Sequence, residues 1–224
     1  MKNKLVLIVL LALPIFIYMI FATATHNSLF LPTISKGNKE LPAWKSYDGK
    51  TVLLKNKITI LGFLGNDILK NQGNIFNLNQ KIYGKYVGFQ DFQIVMVVED
   101  GKQADVKILL EKLAGFTENL SAWKFVFAKP DEIQSYFDSY KLRAKLDSNF
   151  STSEVIIIDK DINHRGRKGK NREGKDEYKE SYNTTSAADL HNDMSDDVKI
   201  MLREYRLALK RNKNQENFSL HVKK

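Results

Sequence analysis

Four short apolar runs, separated by segments with helical spacing, constrain the fold of this chain more than any other feature of its sequence. The runs are rich in β-branched and aromatic residues and are bounded by turn-forming residues, a pattern that predicts buried strands. They cover residues 57–64, 92–98, 123–127 and 155–158. Because strands that alternate with helices favour a parallel sheet covered on both faces, the sequence predicts an α/β domain with a mostly parallel central sheet.

The segments around these runs predict helices and an antiparallel edge. One helix is expected to begin near residues 65–67, and a short one at Pro130, since proline suits a first helical turn. A turn at residues 159–161 leads towards a last strand near residues 162–167. The polar stretch 165–180 is predicted to be a solvated loop or an extension of that hairpin.

A long helix is predicted from Ser186, because apolar residues then recur at helical spacing. The residues of this stripe are Leu190, Met194, Val198, Met201, Leu202, Tyr205 and Leu209. The stripe is expected to pack on the sheet, and the chain from Arg211 is expected to fray.

The N-terminal segment is a separate apolar run. No Lys, Arg, Asp or Glu occurs between Leu5 and Ser35, and residues 5–22 form an eighteen-residue apolar stretch. As a helix this stretch spans about 27 Å, close to the hydrocarbon thickness of a bilayer. Lys2 and Lys4 favour a cytoplasmic N-terminus. The expected partner of residues 5–22 is therefore the inner membrane, crossed once, with the C-terminal domain in the periplasm.

A cleaved signal peptide is the alternative for this segment. Residues 22–24 (ATA) have the small-x-small form of a cleavage site, and cleavage would give a secreted protein. The chain contains no cysteine, so a lipid-modified cysteine cannot serve as the anchor.

The chain divides into four predicted parts. Residues 1–24 are the anchor or signal segment, residues 25–46 a linker, residues 47–211 the folded domain, and residues 212–224 a basic tail. Proline and glycine in the second part predict an extended linker.

Composition narrows the possible functions. The chain is 43% hydrophobic and 27% charged, as expected of a globular protein. Its net charge of +9 suits either nucleic acid or an anionic membrane. The basic stretches lack aromatic residues interleaved with arginine, so no nucleic acid is expected. The absence of cysteine excludes disulfides, thiolate metal sites and thiol redox chemistry.

Several short strings resemble the Sco/SenC branch of the thioredoxin-like proteins. Residues 47–50 (YDGK) resemble its entry hairpin, and residues 60–63 (ILGF) resemble the strand that leads to the active-site helix. Residues 157–161 (IIDKD) with residues 165–166 (RG) resemble a later strand and its turn. The resemblance covers about residues 45–210 and implies a thioredoxin-like sheet flanked by helices. The chain is also similar to membrane-anchored or secreted proteins of Bacteroidetes-type bacteria.

The sequence departs from that family at the reactive positions. Sco-like proteins have two cysteines four residues apart at the start of the first long helix, and these bind copper with a later histidine. By alignment of the strings above, the degenerate active-site positions are Asn66, Asp67, Lys70, Ser151, Thr152 and Ser153. Asn66 and Lys70 replace the cysteines, Ser151 the histidine, and residues 152–153 the region where thioredoxins have a cis-proline. Since copper(I) prefers sulfur ligands and disulfide exchange needs a thiolate, the resemblance implies a degenerate member without either activity.

Other residues suggest no cofactor or metal. His191 and Met194 lie three apart on the long helix and could share a copper ion, but Met194 also fits the apolar stripe. Residues 159–161 (DKD) have the acidic spacing of a calcium loop, but the glycine and distal glutamate are missing. No catalytic residue and no metal ligand is assigned.

The sequence therefore favours a membrane-anchored, non-catalytic thioredoxin-like domain that binds or scaffolds a partner protein of the cell envelope. The alternative is an envelope enzyme that uses non-thiol residues, such as Asn66, Asp67 and Lys70, at the thioredoxin active-site position. A further alternative is an adaptor whose basic stretch 165–179 touches anionic lipid or another subunit.

Overall fold

The computed structural model describes residues 2–23, 30–170 and 174–222. Its strands are β1 (Thr33–Ser35), β2 (Ile58–Gly65), β3 (Phe92–Glu99), β4 (Trp123–Ala128), β5 (Glu154–Ile158), β6 (His164–Arg165), β7 (Arg167–Lys170), β8 (Asp176–Lys179) and β9 (Tyr182–Asn183). Its helices are α1 (Lys2–Thr23), α2 (Gln72–Leu78), α3 (Gly84–Tyr86), α4 (Gln103–Ala114), α5 (Pro130–Asp138) and α6 (Ser195–Val222). Two π-helical turns, Asn79–Tyr83 and Asp189–Met194, precede α3 and α6 respectively.

Within the described residues, seven strands form one mixed sheet in the order β1-β6-β5-β2-β3-β4, with β9 paired to β5. Strands β2, β3 and β4 are parallel. Strand β5 runs antiparallel to β2, and β6 and β9 run antiparallel to β5. The four predicted strands and the antiparallel edge are thus confirmed. The polar stretch contributes a second, two-stranded sheet made of β7 and β8.

Strand β2 lies at the centre of the sheet and is buried along its whole length. Its side chains alternate between two hydrophobic cores, as the period of two in a strand requires. Ile58, Ile60 and Leu64 enter the core that α2, α4 and α6 cover. Leu61 and Phe63 enter the opposite core, which α5 covers. Each such side chain stabilises the fold by about 1.5–3 kcal/mol through burial.

The long C-terminal helix packs on the sheet through its predicted stripe. Leu190, Met194, Val198, Met201 and Leu202 are all buried in the first core. The helix begins at the predicted position. Ser186 precedes the helical residues 187–188, its Oγ accepts from Asp189 N at 3.2 Å, and the π-helical turn Asp189–Met194 leads without a break into α6. Its backbone continues to Val222, past the predicted fraying point, in a stretch without proline or glycine.

Residues 31–46 of the predicted linker pack against the folded domain. Leu31, Leu41 and Trp44 are buried, and β1 pairs antiparallel with β6 at the sheet edge. Three apolar residues spaced along an extended segment carry no helical or strand period, so the sequence gives no sign of this packing.

The first domain helix begins at Gln72, several residues after the predicted start at residues 65–67. Between them the chain forms turns, in which Asn71 N donates to the carbonyl oxygen of Asp67 at 3.0 Å. The delay follows from Gly65, whose φ of +49° takes the chain out of the strand in a left-handed conformation.

The N-terminal run forms α1, with Pro14 inside it. Among the residues that the structure describes, no helix is both long and apolar enough to cross a membrane. The membrane span over residues 5–22 therefore stays a prediction. The predicted cleavage site ends at Ala24, which lies outside the described residues.

Candidate functional site

Two segments meet where β2 ends and β5 begins. Asn66 N donates to the carbonyl oxygen of Asn149 at 3.0 Å, and Thr152 N donates to that of Phe63 at 3.0 Å. A Cβ atom on Gly65 would lie 1.9 Å from the oxygen of Asn149, so the two backbones approach as closely as glycine allows. The sequence-predicted positions after β2 and before β5 therefore lie side by side, and we treat residues 65–71 with residues 147–153 as the candidate site.

Asp67 is the charged centre of the candidate site. Its Oδ2 accepts a hydrogen bond from Asn149 Nδ2 at 2.8 Å and lies 3.3 Å from Lys70 Nζ. The Asp67 side chain is 19% exposed and the Lys70 side chain 75% exposed. The ion pair is therefore wetted by solvent, where such a pair contributes at most about 1 kcal/mol.

Ser151 is the buried hydroxyl of the candidate site, at 3% exposure. Its Oγ accepts a hydrogen bond from Asn71 Nδ2 at 3.0 Å. Its backbone N donates to Asp147 Oδ1, and its carbonyl oxygen accepts from Asp147 N, both at 2.9 Å. An amide nitrogen cannot take a proton from the hydroxyl, so this contact positions Ser151 without activating it as a nucleophile.

The other predicted positions serve the local backbone. Thr152 Oγ1 accepts from Glu154 N at 3.2 Å. The carbonyl oxygen of Ser153 accepts from Thr184 N and from Thr184 Oγ1, which ties it to β9. Asn66 takes part through its backbone N, as described above. Ser153 thus belongs to the β5–β9 edge, whereas Asn66, Asp67 and Ser151 lie at the junction itself.

Sequence reasoning missed Asn71 and Asn149, whose side chains join the two segments, and Asp147, which orders the second segment. Residues 147–149 (DSN) form an Asx turn, in which Asp147 Oδ1 accepts from Asn149 N at 2.9 Å. Such a turn is readable from sequence, because Asp and Asn favour bonds to nearby backbone. The sequence does not predict that the side-chain amide of Asn149 reaches Asp67.

His191 and Met194, the two residues that could have shared a copper ion, have different surroundings. Met194 is fully buried in the core, while His191 is exposed on the π-helical turn. Within the described parts of the chain, no group of three or more His, Cys, Asp or Glu side chains could hold a metal ion.

In the loop at residues 159–161, which has the acidic spacing of a calcium loop, Asp159 is bonded to an arginine. Asp159 is buried, and its carboxylate accepts from the backbone N of Asp161 and of Asn163. Arg165 Nη1 lies 3.0 Å from Asp159 Oδ2, while Arg165 Nη2 lies 2.8 Å from Glu204 Oε2. Burial lowers the pKa of Arg165, but the bonds to Glu204 and Asp159 outweigh it, so its pKa is raised and its charge is secure. A guanidinium therefore fills the position that a cation would need.

His164 is fully buried and was not singled out by the sequence. Its Nε2 lies 2.6 Å from the carbonyl oxygen of Glu180. A carbonyl only accepts, so Nε2 carries the proton, and Nδ1 has no hydrogen-bond partner within the described structure. Burial lowers the pKa of His164 despite the favourable carbonyl of Glu180, so the ring is held neutral.

Comparisons with known proteins place the fold. No known protein family and no curated protein matches the sequence. Among solved structures, a SCO1/SenC family lipoprotein from Bacillus anthracis str. Ames matches with a TM-score of 0.53 and 16% identity, over 80% of this chain and 99% of that chain. A candidate protein disulfide isomerase from Bacteroides thetaiotaomicron matches with a TM-score of 0.50 and 14% identity, over 78% and 95% of the two chains.

These likenesses confirm the predicted resemblance at the level of fold. The chain has a thioredoxin-like α/β fold whose structural neighbours include Sco/SenC and disulfide-exchange proteins. At such low identity the likeness extends to the fold alone. The chain itself contains no cysteine with which to perform thiol chemistry.

Proposed function

We propose that this protein is a non-catalytic thioredoxin-fold module, tethered to the membrane by α1, that binds a partner protein in the cell envelope. The observation that carries the proposal is the candidate site itself. At the sheet end where this fold places reactive cysteines, the chain has amides, a hydroxyl and an exposed ion pair that bond to one another.

The state of Lys70 and Asp67 supports a binding rather than a catalytic role. An enzyme built on them needs a sheltered pair with a shifted proton affinity. Lys70 is 75% exposed, so the pair is open to solvent and is not sheltered. The competing function, an enzyme that uses Asn66, Asp67 and Lys70, therefore has little physical support.

The surface of α1 supports the tether. Its described side chains are apolar and exposed, among them Leu10 at 74%, Leu11 at 73% and Phe16 at 62%. Apolar surface of this extent is unfavourable in water and favourable in lipid. The Bacillus anthracis neighbour is described as a lipoprotein, and this chain, having no cysteine, would need α1 for the same attachment.

The absence of catalysis is tested on the full chain in mild detergent. Insulin reduction, peroxide turnover and copper(I) binding are measured beside a cysteine-containing thioredoxin as positive control. We expect all three to equal the buffer control. Activity in any of them would refute the non-catalytic function.

The tether is tested on native membranes. Alkaline carbonate extraction should leave the chain in the membrane pellet, and N-terminal sequencing should find residues before Thr25. A mature protein that starts at Thr25 would instead establish signal cleavage and secretion.

The partner is sought by affinity capture from detergent-solubilised membranes with the full chain as bait. A matched bait carries Asp67→Asn and Asn149→Asp, which exchanges the polar pattern of the candidate site at nearly constant volume. A protein that binds the candidate site should be captured by the natural chain and not by the matched variant.

A further inference from the structure

The chain enters the folded domain at one firmly held residue, Leu31. Its side chain is 3% exposed. Its backbone N donates to Glu204 Oε1 at 2.6 Å, and its carbonyl oxygen accepts from Arg165 Nε at 2.9 Å. The backbone N of Leu31 is thus fixed to α6 and its carbonyl oxygen to β6. The chain therefore enters the domain at a fixed position.

This entry point lies at the end of the sheet opposite the candidate site. Arg165 contacts Asp159, which directly follows β5. At the same end, Asn56 N donates to the carbonyl oxygen of Lys160, and Ile58 N to that of Asp91, just where β2 and β3 begin. The candidate site follows the other end of β2. Eight residues of strand separate the two ends by about 23 Å.

The tether is short. Seven residues lie between the end of α1 at Thr23 and Leu31. Fully extended, the distance from Thr23 to Leu31 is at most about 27 Å. If α1 is in the membrane, as the proposed function on which this inference rests requires, the entry end of the domain must stay within that distance of the bilayer.

The entry end carries exposed positive charge. Arg203 and Arg206 are exposed on α6, next in sequence to Glu204 and Tyr205, which hold Leu31 and Lys160. Beyond them, the same helix continues with Lys210, Arg211 and Lys213 in sequence.

Carboxylates at this end are neutralised within the domain. Asp161 pairs with Lys55 at 2.7 Å, and Asp91 pairs with Lys57 at 3.6 Å and Lys160 at 2.5 Å. The arginines of α6 are therefore not offset by these groups, and the surface that faces the bilayer is basic.

We propose that this basic end of the domain docks on the anionic surface of the bilayer that holds α1, so that the candidate site faces away from the membrane. Arg203 and Arg206 would contact lipid phosphates, and Leu31 would fix the point at which the tether joins the domain. A partner would then meet the candidate site at least one strand length above the lipid headgroups.

The test uses the absence of cysteine, which allows clean single-site labelling. Gln90→Cys places a fluorophore at the entry end, and Ser148→Cys places one within the candidate site; both positions are exposed. The full chain is reconstituted into vesicles of phosphatidylcholine alone or of phosphatidylcholine with phosphatidylglycerol, an anionic lipid. A nitroxide on the lipid headgroups quenches fluorophores that lie near the surface.

We expect strong quenching at Gln90→Cys in anionic vesicles, weak quenching in phosphatidylcholine alone, and weak quenching at Ser148→Cys in both. High salt should abolish the difference, because it screens surface charges. Equal quenching at the two positions, or quenching at Gln90→Cys that ignores anionic lipid and salt, would overturn the docking.

Charge variants locate the contact. Arg203→Gln with Arg206→Gln should weaken docking about fivefold per charge removed. Lys107→Gln with Lys145→Gln removes the same charge elsewhere and should leave quenching unchanged. Equal loss in both pairs would mean that only net charge matters and would refute docking by this face.

Resistance of the reconstituted chain to carbonate extraction is measured on the same samples. A chain released by carbonate refutes the tether. A chain that is retained but shows no difference between the two labels refutes only the docking.

Discussion

Gly65 is the residue that lets the candidate site form. Its φ of +49° and the contact of 1.9 Å that a Cβ would make with the oxygen of Asn149 both exclude a side chain. Gly65→Ala is expected to destabilise the fold by roughly 2–4 kcal/mol, from left-handed backbone strain and separation of the two segments. Urea unfolding measures the change.

Gly73→Ala is the matched control. Gly73 lies in α2 with ordinary φ, and a Cβ there would meet nothing within 4 Å. Because alanine can adopt this backbone without strain, Gly73→Ala should stabilise the fold by about 0.4–1 kcal/mol through a less flexible unfolded chain. A Gly65→Ala protein as stable as the natural one would contradict the close approach.

His164 should make stability depend on pH. Its pKa is lowered in the folded state, chiefly by burial, so the folded ring resists a proton that the unfolded ring accepts near pH 6.5. Below that pH the unfolded state binds more protons, and the free energy of unfolding falls until the folded ring also titrates.

The measurement is urea unfolding between pH 8 and pH 5, on the natural chain and on His164→Asn. The variant should start less stable, because it disturbs a buried contact, and should lose less stability on acidification over that interval. Parallel curves would show that His164 does not carry the effect.

Arg165 acts at the scale of elements, because one guanidinium joins β6, the end of β5, α6 and the segment before β1. It contacts Asp159, Glu204 and the carbonyl oxygen of Leu31. Arg165→Met should destabilise the fold by about 3–5 kcal/mol, since two carboxylates are left without their partner.

The matched variant Arg203→Met removes an exposed arginine from the same helix and should change stability by no more than about 0.5 kcal/mol. Both are compared by thermal and urea unfolding. Equal effects would mean that Arg165 contributes only as an ordinary surface cation.

Elements with a strong local period were predictable, and those fixed by contacts distant in sequence were not. Strands β2 to β5 and the stripe of α6 follow from apolar periodicity alone. The late start of α2, the inclusion of Leu31 and the partners of Asp67 depend on which chain ends meet in space. For the candidate site, the sequence located the positions and the missing thiols, but not the amides that link them.

At the scale of the whole molecule, the packed domain extends before residue 47, because Leu31, Leu41 and Trp44 are buried. A fragment of residues 30–224 is expected to unfold at the same urea concentration as the full chain in detergent, because its cores span Leu31 to Leu202. A fragment of residues 47–224 should be less stable by at least about 5 kcal/mol, since it loses three buried side chains at about 1.5–3 kcal/mol each.

Circular dichroism and urea unfolding of the two fragments check this boundary. Similar stability of both would restore the linker as first predicted. Instability of both would show that α1 contributes to the fold.

The hydrogen bonds that hold the backbone of Leu31 also determine how the domain bears mechanical load. A pull on the N-terminal segment reaches the fold at one residue, whose backbone is held by Glu204 and Arg165. The force passes from there into α6 and into β6, the strand between β1 and β5, and the candidate site at the far end of β2 is not in its path. Tension on the tether would strip β1 from the sheet edge before it strained the surface offered to a partner.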